Sequence, residues 1–106
     1  MASNRTLGER VHDALVTAAE RKAEAMRLRR MAERYFDIAL LKATGKNADE
    51  RKANARQDPN YEAADTKATE AECAAIVAKA EADGLQIEFE EWRSKTATER
   101  AEMQLR

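Results

Sequence analysis

The chain has 106 residues, of which 37% are charged and 5% aromatic, and its nineteen basic and twenty acidic side chains leave a net charge of −1. That length holds one domain, and so few aromatics cannot fill a wide compact core. A composition rich in Ala, Glu, Lys and Arg, with one Pro and three Gly, argues against a turn-rich sheet and for long exposed helices. The balanced charge supplies no global field to draw the chain to nucleic acid or anionic lipid.

Residues 1–5 are polar and read as a frayed start without the apolar stretch of a signal peptide. Thr6 then caps a helix, with Glu9 placed three residues on to complete a capping box. Over residues 6–44 no proline intervenes. Leu7, Val11, Ala14, Ala18, Ala25, Leu28, Ala32, Tyr35 and Ala39 step alternately by three and four, with one break at Arg21. Leu15 near the start, and Met31, Phe36, Ile38, Leu40 and Leu41 near the end, widen this stripe, which predicts last turns buried on more than one side.

Gly45 predicts the stop, as a residue able to take the left-handed conformation that closes helices. Asn47 followed by Glu50 repeats the cap signature and predicts a short polar helix over residues 48–56. Asp58 and Pro59 mark another restart, so residues 45–58 read as a structured connector. The helix predicted over 59–103 carries the longer seam: Tyr61, Ala64, Ala68, Ala71, Ala75, Ala78, Ala82, Leu85, Phe89, Trp92, Thr96, Glu99 and Met103. A 3.5-residue repeat sustained this far signals a coiled coil or helical hairpin. Gly84 is a weak helix former there, and a bend or a close helix approach would account for it.

The expected fold is therefore all-α, a long antiparallel hairpin with a short connecting helix. Facing residues are expected to have numbers totalling about 103 in a closely packed register, which opposes Val11 to Trp92, Ala14 to Phe89 and Ala18 to Leu85. Cys73, Ile76, Val77, Ala80 and Ile87 fall away from the seam and need a further covering surface. Two-fold pairing of hairpins into a dimeric four-helix bundle would supply it, with cover by the connector as the alternative.

Few residues carry chemistry. His12 follows Glu9 by three, as in carboxylate-bridged metal bundles, but such a site needs that element twice plus two more carboxylates, so a surface histidine is the plainer reading. Cys73 has no histidine at a helical spacing and reads as packing, and as a lone cysteine it fits a reducing cytoplasm. Phosphate-binding glycine loops and paired metal-binding cysteines are absent, and no run approaches the roughly 18 apolar residues of a membrane span. The expectation is a protein that is not an enzyme and needs no cofactor.

The charged candidate is Arg27, Arg30 and Arg34, which share a helix face and could follow a phosphate backbone. Arg29 lies among them, and Arg21 and Lys22 come shortly before. No aromatics interleave as base-stacking platforms, and Glu70 and Glu72 fall opposite this stretch, so ion pairs across the hairpin are the plainer explanation. Phe89 and Trp92 close the alanine seam with bulk, either as core at the bundle end or as an anchor for another protein. Together with Cys73, Ile76, Val77, Ala80 and Ile87 they form the candidate protein interface.

Thr44-Gly45-Lys46-Asn47-Ala48-Asp49-Glu50-Arg51-Lys52-Ala53, followed by Asp58-Pro59-Asn60-Tyr61 and an Ala/Glu-rich helix, resembles a pattern in short phage and prophage proteins. Those proteins are helical hairpins, often encoded near replication and recombination functions and mostly without an assigned activity. The resemblance covers residues 40–103, and its most specific part is the Gly-Lys-Asn-Ala turn leading to Arg51. It implies an accessory role in phage DNA metabolism or host takeover within the bacterial cytoplasm, and it brings no catalytic residues. The leading expectation is a homodimeric interaction protein with a protein partner. Its alternatives are a nucleic-acid accessory using the arginine face and a small inhibitor of a host defence or nuclease complex.

Overall fold

The computed structural model describes residues 6–105, and among them three helices form: α1 (Leu7–Lys42), α2 (Ala48–Ala55) and α3 (Pro59–Gln104). The polar start at residues 1–5 lies outside the described residues. As the seams predict, the fold is an all-α helical hairpin in which α1 and α3 are the arms and α2 sits in the connection.

Short polar side chains set each helix start by accepting from backbone N–H groups that have no partner inside the helix. Thr6 Oγ1 accepts from Glu9 N at 3.1 Å, and Asn47 Oδ1 accepts from Glu50 N at 2.8 Å. Asp58 Oδ1 accepts from both Asn60 N and Tyr61 N, at 3.0 and 3.1 Å, with Pro59 as the first helical residue. The connector is fastened to the end of α1 by Asn54 Nδ2, which donates to Thr44 O at 2.6 Å.

α1 ends at Lys42, ahead of Gly45, and Gly45 serves a different purpose from the one its conformational freedom suggests. No glycine has a positive φ. A Cβ on Gly45 would instead lie 2.9 Å from Arg51 N and 3.2 Å from Glu50 C, so glycine is needed because the backbone of α2 passes against it. At Gly84 nothing lies within 4 Å of an added Cβ, which removes close helix approach as its explanation.

The chain divides into two compact units. One comprises residues 1–19 and 76–106, and the other residues 20–75. In the first, Val11, Ala78 and Ala82 are buried, and Ala14, Ala18, Leu85 and Phe89 are half-buried around them. A Cβ on Gly8 would lie 3.6 Å from Phe89 Cε2. In the second, Ala25, Ala32, Ala39, Ala55 and Ala68 are buried, and the Phe36 and Tyr61 rings meet edge-on with centroids 5.4 Å apart.

These contacts correct the expected register. Phe36 on Tyr61 and Gly8 beside Phe89 both have numbers totalling 97 rather than 103, so Phe89 comes up to Gly8 and Trp92 is left 55% exposed. The physical reason is that alanine meeting alanine is the same in every layer, so sliding by six residues, about two seam steps, costs the seam almost nothing. Interactions off the seam must choose.

Cover at the end of α1 is also thinner than its composition predicts. Phe36 and Leu40 are half-buried, but Met31, Ile38 and Leu41 are exposed, because α2 is eight residues long and buries only Ala55. Gly84→Ala is expected to raise stability by about 1 kcal/mol through helix propensity. Gly45→Ala is expected to lower it by about 1–3 kcal/mol through the clash with α2. Thermal melts followed by circular dichroism read both.

Candidate functional site

In the unit of residues 20–75, the arginine run of α1 is organised around Arg29 rather than around the row Arg27, Arg30 and Arg34. Arg29 Nη1 donates to Asp65 Oδ1 at 2.6 Å, and Nη2 donates to Glu72 Oε1 at 2.5 Å and Thr69 Oγ1 at 3.3 Å. Its Nε reaches Glu72 Oε2 at 3.4 Å. One planar guanidinium thus grips three successive turns of α3, using a fork geometry that lysine lacks. The signal in the sequence was the spacing of Asp65, Thr69 and Glu72, which puts three acceptors on one helix face. Of the two acidic residues expected opposite, Glu72 takes part.

Arg27 is exposed and pairs along its own helix. Its Nη2 and Nε donate to Glu24 at 2.6 and 3.1 Å, and Nη1 lies 3.5 Å from Met31 Sδ. Arg30 and Arg34 are exposed, and among the described residues neither has an ion pair. The candidate phosphate face therefore keeps two uncommitted cations.

The hydrogen bond from Arg29 holds the Glu72 carboxyl below the usual carboxylate range, against a smaller desolvation effect. Donating to the Glu72 and Asp65 carboxylates in turn pushes the Arg29 guanidinium up. The hydrogen bond from Arg27 lowers the Glu24 carboxyl in the same way. Arg29 also borders a cleft of about 350 Å³ lined by Glu33, Phe36, Asp37, Arg56 and Tyr61. Inside it the Arg56 guanidinium stands 5.8 Å from the Phe36 ring centroid, a distance that suits a cation–π contact. Positive and negative groups are interleaved there, so the cleft presents no single charge to a ligand.

The unit of residues 1–19 and 76–106 carries most of the candidate protein interface. Ile76, Val77 and Ile87 are 70%, 57% and 57% exposed, and Ala80 beside them is exposed too. Phe89 is half-buried and stacks on Trp92 with centroids 6.0 Å apart, while the Arg93 guanidinium lies 5.8 Å from the Phe89 centroid. Phe89 lies at the edge of the core, half-buried beside Gly8, whereas Trp92 is an exposed neighbour of it. Cys73, in the other unit, is exposed rather than packed.

His12 is exposed. Among the described residues no group of three or more His, Cys, Asp and Glu could hold a metal ion, and no helix is long and apolar enough to cross a membrane. Comparison with protein families, curated proteins and solved structures finds no match to this chain.

Because the folded Glu72 binds its proton less readily than the unfolded chain does, the Arg29 pairing stabilises fully above the unfolded glutamate pKa of about 4.3. That contribution is lost as the pH falls through the lower folded value. Glu72→Gln is expected to melt below the wild type at pH 7, with the gap closing below about pH 4 and shrinking in added salt. Melting curves over a pH series measure this.

Proposed function

We propose that the chain is a non-enzymatic helical interaction protein that acts by binding a protein partner and pairs with a second copy of itself. One observation carries this reading. Among the described residues the buried core is Val11 and seven alanines, whereas thirteen large apolar side chains, from Leu15 to Leu105, are exposed. Apolar area left in water forgoes about 25 cal/mol per Å², and Ile76 and Ile87 on one face of α3, with Val77 beside them, are more than scattered surface residues. Covering these groups is what another polypeptide can do.

Self-pairing is supported on α1, where Met31, Tyr35 and Ile38 are 38%, 38% and 49% exposed. Met31 and Tyr35 line a cleft of about 170 Å³ together with Leu28, Ala63 and Ala64. The resemblance of residues 40–103 to short phage and prophage hairpins favours a bacterial cytoplasmic setting and an accessory role there, which includes inhibition of a host defence or nuclease complex. Arg30 and Arg34 support a second reading, a nucleic-acid accessory. Against it stand Arg27 and Arg29, whose charges are already met within the chain.

Light scattering is expected to give twice the 11.9 kDa mass of the chain; a single-chain mass refutes the self-pairing. Labelled single-stranded DNA is expected to bind immeasurably at physiological salt. Tight binding whose log–log salt slope is about −1.4 or steeper, at about −0.7 for each of the two phosphate contacts Arg30 and Arg34 could make, would overturn the protein-partner reading in favour of nucleic acid.

A further inference from the structure

The outward face of α3 from Ile76 to Glu91 combines an apolar row with acidic borders on both sides. At about 100° per residue, Ile76, Ala80, Gly84 and Ile87 fall in one row, on the side of the helix away from the buried Ala78 and Ala82. Glu81 and Glu88 border that row on one side, Asp83 and Glu90 on the other, and Glu91 closes its C-terminal end. All five are exposed. Lys79 is the one cation in the stretch, and its Nζ already donates to Asp83 Oδ2 at 3.0 Å. Within the row, Ala80 and Gly84 leave a dip between the two isoleucines, and nothing lies within 4 Å of where a Cβ on Gly84 would be.

We propose that this face docks a basic amphipathic helix of a partner protein. Apolar side chains of that helix, spaced by three and four residues, seat on Ile76 and Ile87, with one large side chain in the dip over Ala80 and Gly84. Lysines or arginines on its flanks meet the two acidic borders. Charge selects this occupant. Two-fold pairing of copies through the same face would set the acidic borders of one copy against those of the other, and nucleic acid or anionic lipid would be repelled by them. The pairing of copies is then left to the exposed apolar groups of α1. The inference rests on the reading of this chain as a protein-binding module and names the chemistry of its partner.

Fluorescence anisotropy with two synthetic peptides tests it. The cationic probe is an amphipathic helix with leucine on one face and lysine on its flanks, and the anionic probe carries glutamate in place of each lysine. At physiological salt the cationic probe is expected to bind about tenfold or more tightly than the anionic one. Ile76→Ser with Ile87→Ser, at exposed positions that leave the helix intact by circular dichroism, is expected to weaken it by about tenfold. Glu81→Lys with Glu88→Lys is expected to shift the preference toward the anionic probe. Cationic binding that ignores the serine substitutions is mere charge condensation and overturns the proposal. Sedimentation showing a dimer that the serine substitutions dissolve, with neither probe bound, makes a second copy the occupant; it overturns the proposal while leaving the interface reading intact. Should neither probe bind and no self-association depend on Ile76 or Ile87, the proposal fails and this face is no interface.

Discussion

Among the described residues every buried apolar side chain but Val11 is a methyl group, and the rest of the structure follows from that. Ala32 and Ala68 are fully buried, and Ala82 nearly so, which is what close helix approach demands. An alanine seam is narrow. It buries a stripe but leaves no interior wide enough for isoleucine, methionine or tryptophan, so the larger apolar groups are pushed to the flanks and outer faces, where they are exposed. The same constraint that lets the hairpin close gives it an apolar exterior.

A uniform seam is also uninformative about register, and the structure assigns that task to groups beside it. Arg29 fixes one pairing by holding Asp65, Thr69 and Glu72 at once. The Phe36 and Tyr61 rings fix another. In the other unit Gly8 makes room for Phe89. An exposed ion pair contributes little by itself, but contacts that exist in one register and vanish in the next discriminate far more than their absolute strength suggests.

The division of charge follows the same logic. Arg29 is spent inside the hairpin and Arg27 is paired along its own helix, so the basic run of α1 is less available than its composition implies. On α3 the reverse holds: Lys79 is the sole counter-charge among Glu81, Asp83, Glu88, Glu90 and Glu91. What looks like a nearly neutral protein in its totals carries a concentrated acidic border around exposed isoleucines.

The sequence alone determined the helices, because their signals are local: Thr6, Asn47 and Asp58 cap where a short polar side chain meets unpaired N–H groups, and alternating three- and four-residue steps define each buried stripe. It also sufficed to separate Ile76, Val77, Ala80 and Ile87 from the seam, since angle around a helix follows from residue number. Only the tertiary structure decided the register, the role of Arg29, the exposure of Trp92 and the purpose of Gly45. Each of these depends on which atoms of a distant segment come within a few ångströms, and a seam of identical alanines does not encode that distance.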